Sequence, residues 1–108
     1  MTEASVAVER TADDAVRIAV RGEIDLANVA DVEGQLLGAI SNQLVDVVVD
    51  LADLAYVDSA GLRVLFQLAT RLQTLQTRLT LLVPRDSAVR KVIDLSGIAA
   101  IAVVEPPA

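Results

Sequence analysis

The sequence predicts an α/β fold: a mixed, mostly parallel β-sheet with helices packed on it, in the order β-β-α-β-α-β-α-β. Three observations predict this class. Two segments near the start of the chain alternate apolar and other residues, which is the period of β-strands. Further on, strand-like apolar runs take turns with segments whose apolar residues recur at helical spacing. Because right-handed crossovers connect such strands through helices, the later strands run largely parallel.

Length and composition set the scale of this fold. The chain has 108 residues, of which 54% are apolar, and this is enough for one domain with one hydrophobic core. Aromatic residues make up only 2%, so the core is built from Val, Leu, Ile and Ala. We therefore predict a single domain over residues 1–108, structured from about 5 to 104 and ending in a tail at 105–108.

The first half of the chain predicts a hairpin, a helix and a strand. Val6 and Val8 mark the first strand of the hairpin, and alternation over residues 16–20 marks the second. In the helix that follows, the side-chain oxygen of Asn28 can accept a hydrogen bond from the first turn. Residues 45–51 form the strongest strand, and their three consecutive valines are typical of a strand covered on both faces. The apolar residues of the helix are Val29, Val32, Leu36 and Ile40.

A second helix is predicted over residues 59–76, and its two faces differ in character. One face is an apolar stripe that we expect to pack on the sheet, and the other is the face that we expect to meet solvent or a partner. The stripe comprises Leu62, Leu65, Phe66, Ala69 and Leu72, and the opposite face comprises Ala60, Arg63, Val64, Gln67 and Arg71.

The last third of the chain predicts a strand, a third helix and a final strand. The first of these strands covers residues 79–83. The helix is capped by Asp86 or Ser87 and closed by Gly97, a residue type that ends helices in the left-handed conformation. Residues 101–104 predict the final strand.

Charge and missing residue types narrow the range of functions. A net charge of −6 and a pI near 4.4 argue against nucleic acid, whose phosphates need Lys and Arg. Without cysteine and histidine, the chain lacks disulfides, thiolate metal ligands and the commonest general base. Since it also lacks a phosphate-cradling glycine loop, we expect no enzyme, no metal site and no cofactor.

No apolar run is long enough to cross a membrane. The longest covers residues 98–104, and the N-terminal residues show no signal-peptide core. We therefore expect no membrane insertion and a cytoplasmic protein.

Ser59, at the predicted start of the second helix, has two interpretations. The simpler one is a helix cap, since serine and aspartate are preferred at that position. The other is a phosphoacceptor, because the free N–H groups and positive end of a helix accommodate phosphate. A phosphate adds about −1.5 to −2 charges at pH 7. It would change the surface here without breaking the core.

The nearby carboxylates also have alternative roles. Asp58 either caps the second helix, which we favour, or orients the neighbouring hydroxyl. Together with Asp50 and Asp53 it could bind a hard cation such as magnesium, although solvated loop carboxylates are the favoured interpretation. Glu23 and Asp25 are either part of a partner-binding edge or an ordinary charged turn.

Three motifs, in order and at near-constant spacing, carry a resemblance over nearly the whole chain. RGEID at residues 21–25 is similar to a family turn that follows the second strand. VVVDL at 47–51, followed by YVDSAGL at 56–62, is similar to the family's central strand and its signature. AVRKVIDLSG at 88–97 is similar to its last helix and turn. The chain thus resembles the STAS domains, and within them the bacterial anti-sigma factor antagonists.

The resemblance implies a function and a site. In such proteins the serine of the signature, here Ser59, is the phosphoacceptor. The unphosphorylated form binds an anti-sigma factor that is also a GHKL-type serine kinase, and this binding frees the sigma factor. Phosphorylation ends the binding, and a PP2C-type phosphatase resets the cycle. The predicted partner surface comprises Glu23, Asp25, Asp58, Ser59, Ala60, Gly61, Arg63, Val64 and Gln67.

Two features depart from the family pattern. Arg63 stands where antagonists often have a small residue, and a long cation on this surface should alter the choice of partner. Residues 76–78 replace a turn that often contains glycine, which affects how the second helix ends.

Other functions and assemblies stay open at this point. The first alternative is a STAS accessory subunit of a lipid-transport ABC system, in which the serine need not be phosphorylated. The second is a nucleotide-binding protein. The first strand, around Val6 and Val8, also offers an edge through which a weak homodimer could form.

Overall fold

A hairpin forms one edge of the sheet. The computed structural model describes residues 3–108. In it, β1 (Ala4–Ala12) and β2 (Ala15–Ile24) pair antiparallel around a turn at residues 13–14. The other strands among the described residues are β3 (Asp46–Asp50), β4 (Leu54–Val57), β5 (Arg78–Leu82) and β6 (Val103–Glu105). The helices are α1 (Val29–Gly38), α2 (Ser59–Thr74) and α3 (Ala88–Ser96), and a 3-10 helix (Ile98–Ala100) precedes β6.

Every pairing beyond the hairpin is parallel, which confirms the predicted fold class and the order of the predicted elements. The strands lie in the order β1-β2-β3-β5-β6. A short strand that the sequence did not predict, β4, pairs with the far end of β2. The register of β2 shifts between Gly22 and Glu23, and Gly22 has a φ of 93° there. A Cβ at Gly22 would collide with the carbonyl oxygen of Glu3, so this bend requires glycine.

One aliphatic core lies between the sheet and the helices. Buried and partly buried residues alternate along β2 and β3, because successive side chains of a strand point to opposite faces. Val47 and Val49 are fully buried in the core, which side chains of all three helices complete. Val48, which points to the other face, is only partly buried. The prediction that this strand is covered on both faces is therefore wrong: one face is closed by helices and the other only partly.

The apolar face of α2 is rotated from the predicted one. Val64 and Leu68 are buried, whereas Leu62 and Phe66 are only partly buried. Val64 was predicted to lie on the outward face, and its exposed fraction is only 7%. The reason is that α2 packs against α1 as well as the sheet, so the buried stripe is wider than one contact line.

Both ends of α3 agree with the predictions, whereas the start of the final strand does not. Ser87, one of the two predicted caps of α3, accepts a hydrogen bond from the backbone N–H of Arg90 at 3.0 Å. Gly97 closes α3 with a φ of 84°, as predicted. The final strand begins at Val103 and not at residue 101, because the 3-10 helix and its turn occupy the residues before it.

The end of α2 supplies a stability prediction. Gln76 has a φ of 59°, a left-handed conformation that favours glycine. We expect Gln76→Gly to raise the free energy of unfolding by about 0.5–1 kcal/mol, the strain relieved being only partly offset by the freedom of glycine in the unfolded chain. The measurement is urea-induced unfolding. Gln73→Gly, the same exchange inside the helix, is the control and should lower stability by up to about 1 kcal/mol. A destabilised Gln76→Gly protein would contradict the prediction.

Candidate functional site

Ser59 lies at the exposed start of α2, where β4 runs into the helix. Its role as a cap is excluded, because the N-cap residue is Asp58. The Oδ1 atom of Asp58 accepts a hydrogen bond from the backbone N–H of Gly61 at 3.0 Å, which confirms the favoured interpretation of this carboxylate. Among residues 3–108 the hydroxyl of Ser59 has no hydrogen-bond partner. It is therefore an accessible hydroxyl with no structural task in the described chain.

Asp58 does more than cap a helix. Its second oxygen, Oδ2, accepts a hydrogen bond from the backbone N–H of Leu26 at 3.2 Å. Its own backbone N–H donates to the carbonyl of Ile24 at 3.1 Å. These bonds fasten the segment that leaves β2 to the first turn of α2. We call the two carboxylate bonds, to Gly61 and Leu26, the Asp58 clamp.

The segment between β2 and α1 is held from its other side by Asn28. Asn28 is the N-cap residue of α1, as predicted, but its side chain does not make the predicted bond to the first turn of the helix. Instead its Oδ1 accepts from the backbone N–H of Asp25 at 3.1 Å, and its Nδ2 donates to the carbonyl of Glu23 at 2.9 Å. The carboxylate of Asp25 accepts from the N–H of Ala27 at 2.9 Å. These local bonds compete with helix capping and fix the turn in one shape.

Gly61 brings α2 close to the sheet. A Cβ at this position would lie 2.6 Å from Cγ2 of Val57 and 2.9 Å from Cγ2 of Ile24. The sequence predicts Gly61 as part of the partner surface. Because Gly61 is buried, it does not offer a direct contact to a partner. Its absent side chain is what lets the serine-bearing end of α2 rest on β2 and β4.

A groove of about 560 Å³ runs between α1 and α2, with Ser59 at one end. Its walls come from two elements that the chain connects through β3 and β4, so the groove depends on how α1 and α2 pack. We call it the α1–α2 groove. It is lined by Leu26, Val29, Ala30, Glu33, Ser59, Ala60, Arg63, Val64 and Gln67.

The structure brings together most of the residues predicted as a partner surface. The α2 residues among them, Gly61 apart, line the α1–α2 groove, where Val64 forms floor and not rim. Asp25 and Asp58 line a shallower neighbouring depression, together with Leu26. Glu23 and Gly61 line neither surface.

Two exposed apolar side chains near Asp58 are not among the site residues predicted from the sequence. Leu26 is 79% exposed and forms a wall shared by the groove and the depression. Tyr56, on β4, is 49% exposed and lines the depression. An apolar residue directly before the Asn28 turn was the available signal for Leu26. The signal for Tyr56 was weaker, because β4 itself was not predicted.

Among the described residues, one cation and one carboxylate line the groove, Arg63 and Glu33. Neither forms an ion pair with any of the residues that the structure describes. By contrast, two of the three carboxylates considered for magnesium binding face arginines: Asp50 lies 2.6 Å from Arg17, and Asp53 lies 3.6 Å from Arg21. The first ion pair is partly buried and the second is exposed, and neither aspartate lines the groove.

The sequence predicts no membrane insertion. In the described part of the chain, none of the helices has the length and apolar character needed to cross a bilayer. The edge position of β1 is observed, while pairing of that edge into a homodimer stays a prediction.

The mixed sheet with its three helices defines an α/β domain. The STAS domain profile matches residues 6–106, and the chain therefore belongs to the STAS domain family. No curated protein matches the sequence at a significant level.

Solved structures agree on the architecture. An anti-sigma factor antagonist from Mycobacterium paratuberculosis superposes with a TM-score of 0.84 at 21% identity, covering 97% of this chain and 87% of that one. The antagonist SpoIIAA in its unphosphorylated form gives 0.75 at 24% identity, over 93% of this chain and 87% of that one. The phosphorylated form of SpoIIAA, a Bacillus cell fate determinant, gives 0.71 at 23% identity, over 93% and 90%. At these identities the likeness shows the fold alone.

The close contact at Gly61 yields a prediction. We expect Gly61→Ala to lower the free energy of unfolding by about 1–2 kcal/mol, since the overpacking outweighs the better helix propensity of alanine. Gly34→Ala is a matched control on an exposed face of α1, where an added Cβ meets nothing within 4 Å. That exchange should raise stability by up to about 1 kcal/mol. Urea unfolding of both variants measures the difference, and equal effects would refute the packing argument.

A second prediction concerns the Asp58 clamp. Asparagine has one acceptor oxygen, so Asp58→Asn can keep the cap but presents an N–H₂ group to the second backbone donor. We expect this exchange to lower the free energy of unfolding by about 1–2 kcal/mol and to speed hydrogen exchange at the amide of Leu26. Asp53→Asn, which touches only an exposed ion pair, should cost less than about 1 kcal/mol and leave that amide unchanged. Unaltered exchange at Leu26 in Asp58→Asn would show that the clamp does not hold this segment.

Proposed function

We propose that this STAS domain is an anti-sigma factor antagonist controlled by phosphorylation of Ser59. Its unphosphorylated form binds an anti-sigma factor with GHKL-type serine kinase activity and so releases a sigma factor. Phosphorylation of Ser59 by that kinase ends the complex, and a PP2C-type phosphatase restores the binding form. The domain itself acts as substrate and binding module, and we propose no catalytic role for it.

The observation that carries this proposal is the placement of one free hydroxyl at the end of a groove. Phosphoryl transfer requires the attacking oxygen to approach the γ-phosphate in line, so the acceptor must be accessible. Ser59 is exposed, and its hydroxyl is bound to none of residues 3–108. It also lines the α1–α2 groove, so a change at this oxygen is a change in the surface offered to a partner.

The chemistry of the surface supports a partner that is itself a protein. Leu26 and Tyr56 expose apolar area in the depression that Asp58 also lines, which suits a protein interface. The groove floor adds Val29 and Val64. Polar side chains, Gln67 among them, form its rim. An apolar centre with a polar rim is the usual anatomy of such interfaces.

Phosphorylation changes this surface in two ways. It adds about −1.5 to −2 charges at pH 7, together with the volume of a phosphate, at the mouth of the groove. Asp58 and Glu33 already place carboxylates nearby, so the negative character of the site increases. Turning binding from 99:1 to 1:99 requires about 5.5 kcal/mol of differential affinity. A clash in a closely packed interface combined with repulsion of an acidic partner group can supply it.

The test is a pull-down from the organism that encodes the protein, with wild type, Ser59→Ala and Ser59→Asp as baits. We expect a GHKL-type kinase to be enriched by wild type and by Ser59→Ala, and to be lost at least tenfold with Ser59→Asp. Ser41→Asp is the matched control, because it makes the same exchange at an exposed serine that does not line the groove. It should retain the kinase. Bound proteins are identified by mass spectrometry.

The outcomes separate the proposed function from its alternatives. Equal capture of the kinase by Ser59→Asp and wild type would sink the switch. Capture of ABC-transporter subunits by all baits alike would point to the transport role instead. In either case circular dichroism of the baits must show the same folded state, so that loss of binding is not loss of fold.

A further inference from the structure

We propose that Arg63 binds the phosphate on Ser59 and is thereby withdrawn from the α1–α2 groove. This inference rests on the proposed function, since it describes what the modified serine contacts. It makes Arg63 the residue through which phosphorylation removes the one cation that lines the groove among the described residues.

The geometry of α2 places the two side chains together. Ser59 and Arg63 are four residues apart, both lie within the helix, and both are exposed. Side chains at this spacing are neighbours on a helix surface, with Cβ atoms about 5–6 Å apart. Helical side chains also lean toward the N-terminus of their helix, so Arg63 points back over the turn that begins with Ser59. An arginine side chain is long enough to reach a neighbour one helical turn away.

Arg63 is also available. Other arginines of the described chain already face carboxylates: Arg17 faces Asp50, and Arg90 faces Asp94 at 3.0 Å. Arg63 forms no ion pair within residues 3–108. Its planar fork of N–H donors matches the oxygen pairs of a phosphate, and such bonds are stronger than those between neutral groups.

The competing groups around Arg63 are few. Glu33 is the carboxylate that faces it across the groove, on α1, and Asp58 precedes Ser59 on the chain. Asp58 is engaged by two backbone N–H groups, and Glu33 lies on a separate helix. A phosphate on the same helix, one turn away and carrying up to twice the charge of a carboxylate, is the stronger partner.

Capture of Arg63 changes the charge that the groove presents. Before modification, Arg63 is a free cation that can bind a carboxylate of the partner. Afterwards, the phosphate and Arg63 together carry about −0.5 to −1, and the donors of the guanidinium are turned toward Ser59. The same event therefore adds an anion and removes the cation that an acidic partner group would use.

The experiment places phosphoserine at position 59 by genetic encoding, in wild type, Arg63→Gln, Arg63→Lys and Arg71→Gln proteins. A ³¹P NMR titration gives the second pKa of the phosphate in each. We expect this pKa to lie about 0.3–0.5 lower in wild type than in Arg63→Gln, because a bound guanidinium favours the dianion. Arg63→Lys should fall between them. Arg71→Gln removes the same charge from the far end of the exposed side of α2 and should match wild type.

A second readout does not depend on titration. The Nε–Hε resonance of Arg63 in a ¹H–¹⁵N spectrum should move when phosphoserine replaces Ser59, and the shift should disappear at high salt. If the phosphate pKa is the same in wild type and Arg63→Gln, and the resonance stays in place, the proposal is overturned. Thermal unfolding confirms that the variants at these exposed positions remain folded.

Because the phosphate is installed without a kinase, the result is independent of which protein modifies Ser59. A positive titration with a negative pull-down would keep the Arg63–phosphate contact and reject the anti-sigma role. A negative titration with a positive pull-down would keep the switch and reject Arg63 as its receiver.

Discussion

The arrangement of the site depends on one carboxylate with two backbone donors. Through Gly61, Asp58 satisfies an orphan N–H at the start of α2, and through Leu26 it holds the segment that leads into α1. A single side chain thereby fixes the relation between the two helices whose surfaces make the groove. Since Asp58 takes the capping task, Ser59 is left with its hydroxyl free. If Ser59 were the N-cap residue, its hydroxyl oxygen would accept a hydrogen bond from the backbone and would not be available at the surface.

Close packing below the clamp decides which side of α2 faces outward. Gly61 lets the helix approach Val57 and Ile24, and the packing of α2 against α1 buries Val64 while Arg63 stays exposed. The signature that carries the serine thus combines two separate constraints. Aspartate supplies the bonds, and glycine supplies the distance. The serine between them is the member of the motif on which the fold makes no demand, which is why a modification there is compatible with an intact core.

The sequence predicted the strand and helix order well because each predicted element has its own period or cap, as with Ser87 and Gly97. It failed where tertiary contacts outweigh local pattern. β4 is only four residues long, too short for its own pattern to mark it, and it is defined by its pairing with the bulged end of β2. Asn28 occupies the N-cap position that its type favours, but its side chain bonds back to the preceding turn and not to the helix. The only sequence signal for Leu26 is its place before the Asn28 turn, since the carboxylate that binds its backbone N–H lies 32 residues away.

The energetics of such a switch place its action at the interface and not in the fold. Small domains have a free energy of unfolding of about 5–15 kcal/mol, so a modification that lowered it by about 5.5 kcal/mol would leave little of the native state. A phosphate on an exposed residue of the first helical turn costs the fold little, because the end of a helix favours negative charge. The whole difference in binding free energy between the two forms must then arise when a partner binds over the groove. In the proposed switch, a free hydroxyl and a free guanidinium one turn apart on α2 meet that requirement: phosphorylation would change the charge displayed at the groove and leave the fold unchanged.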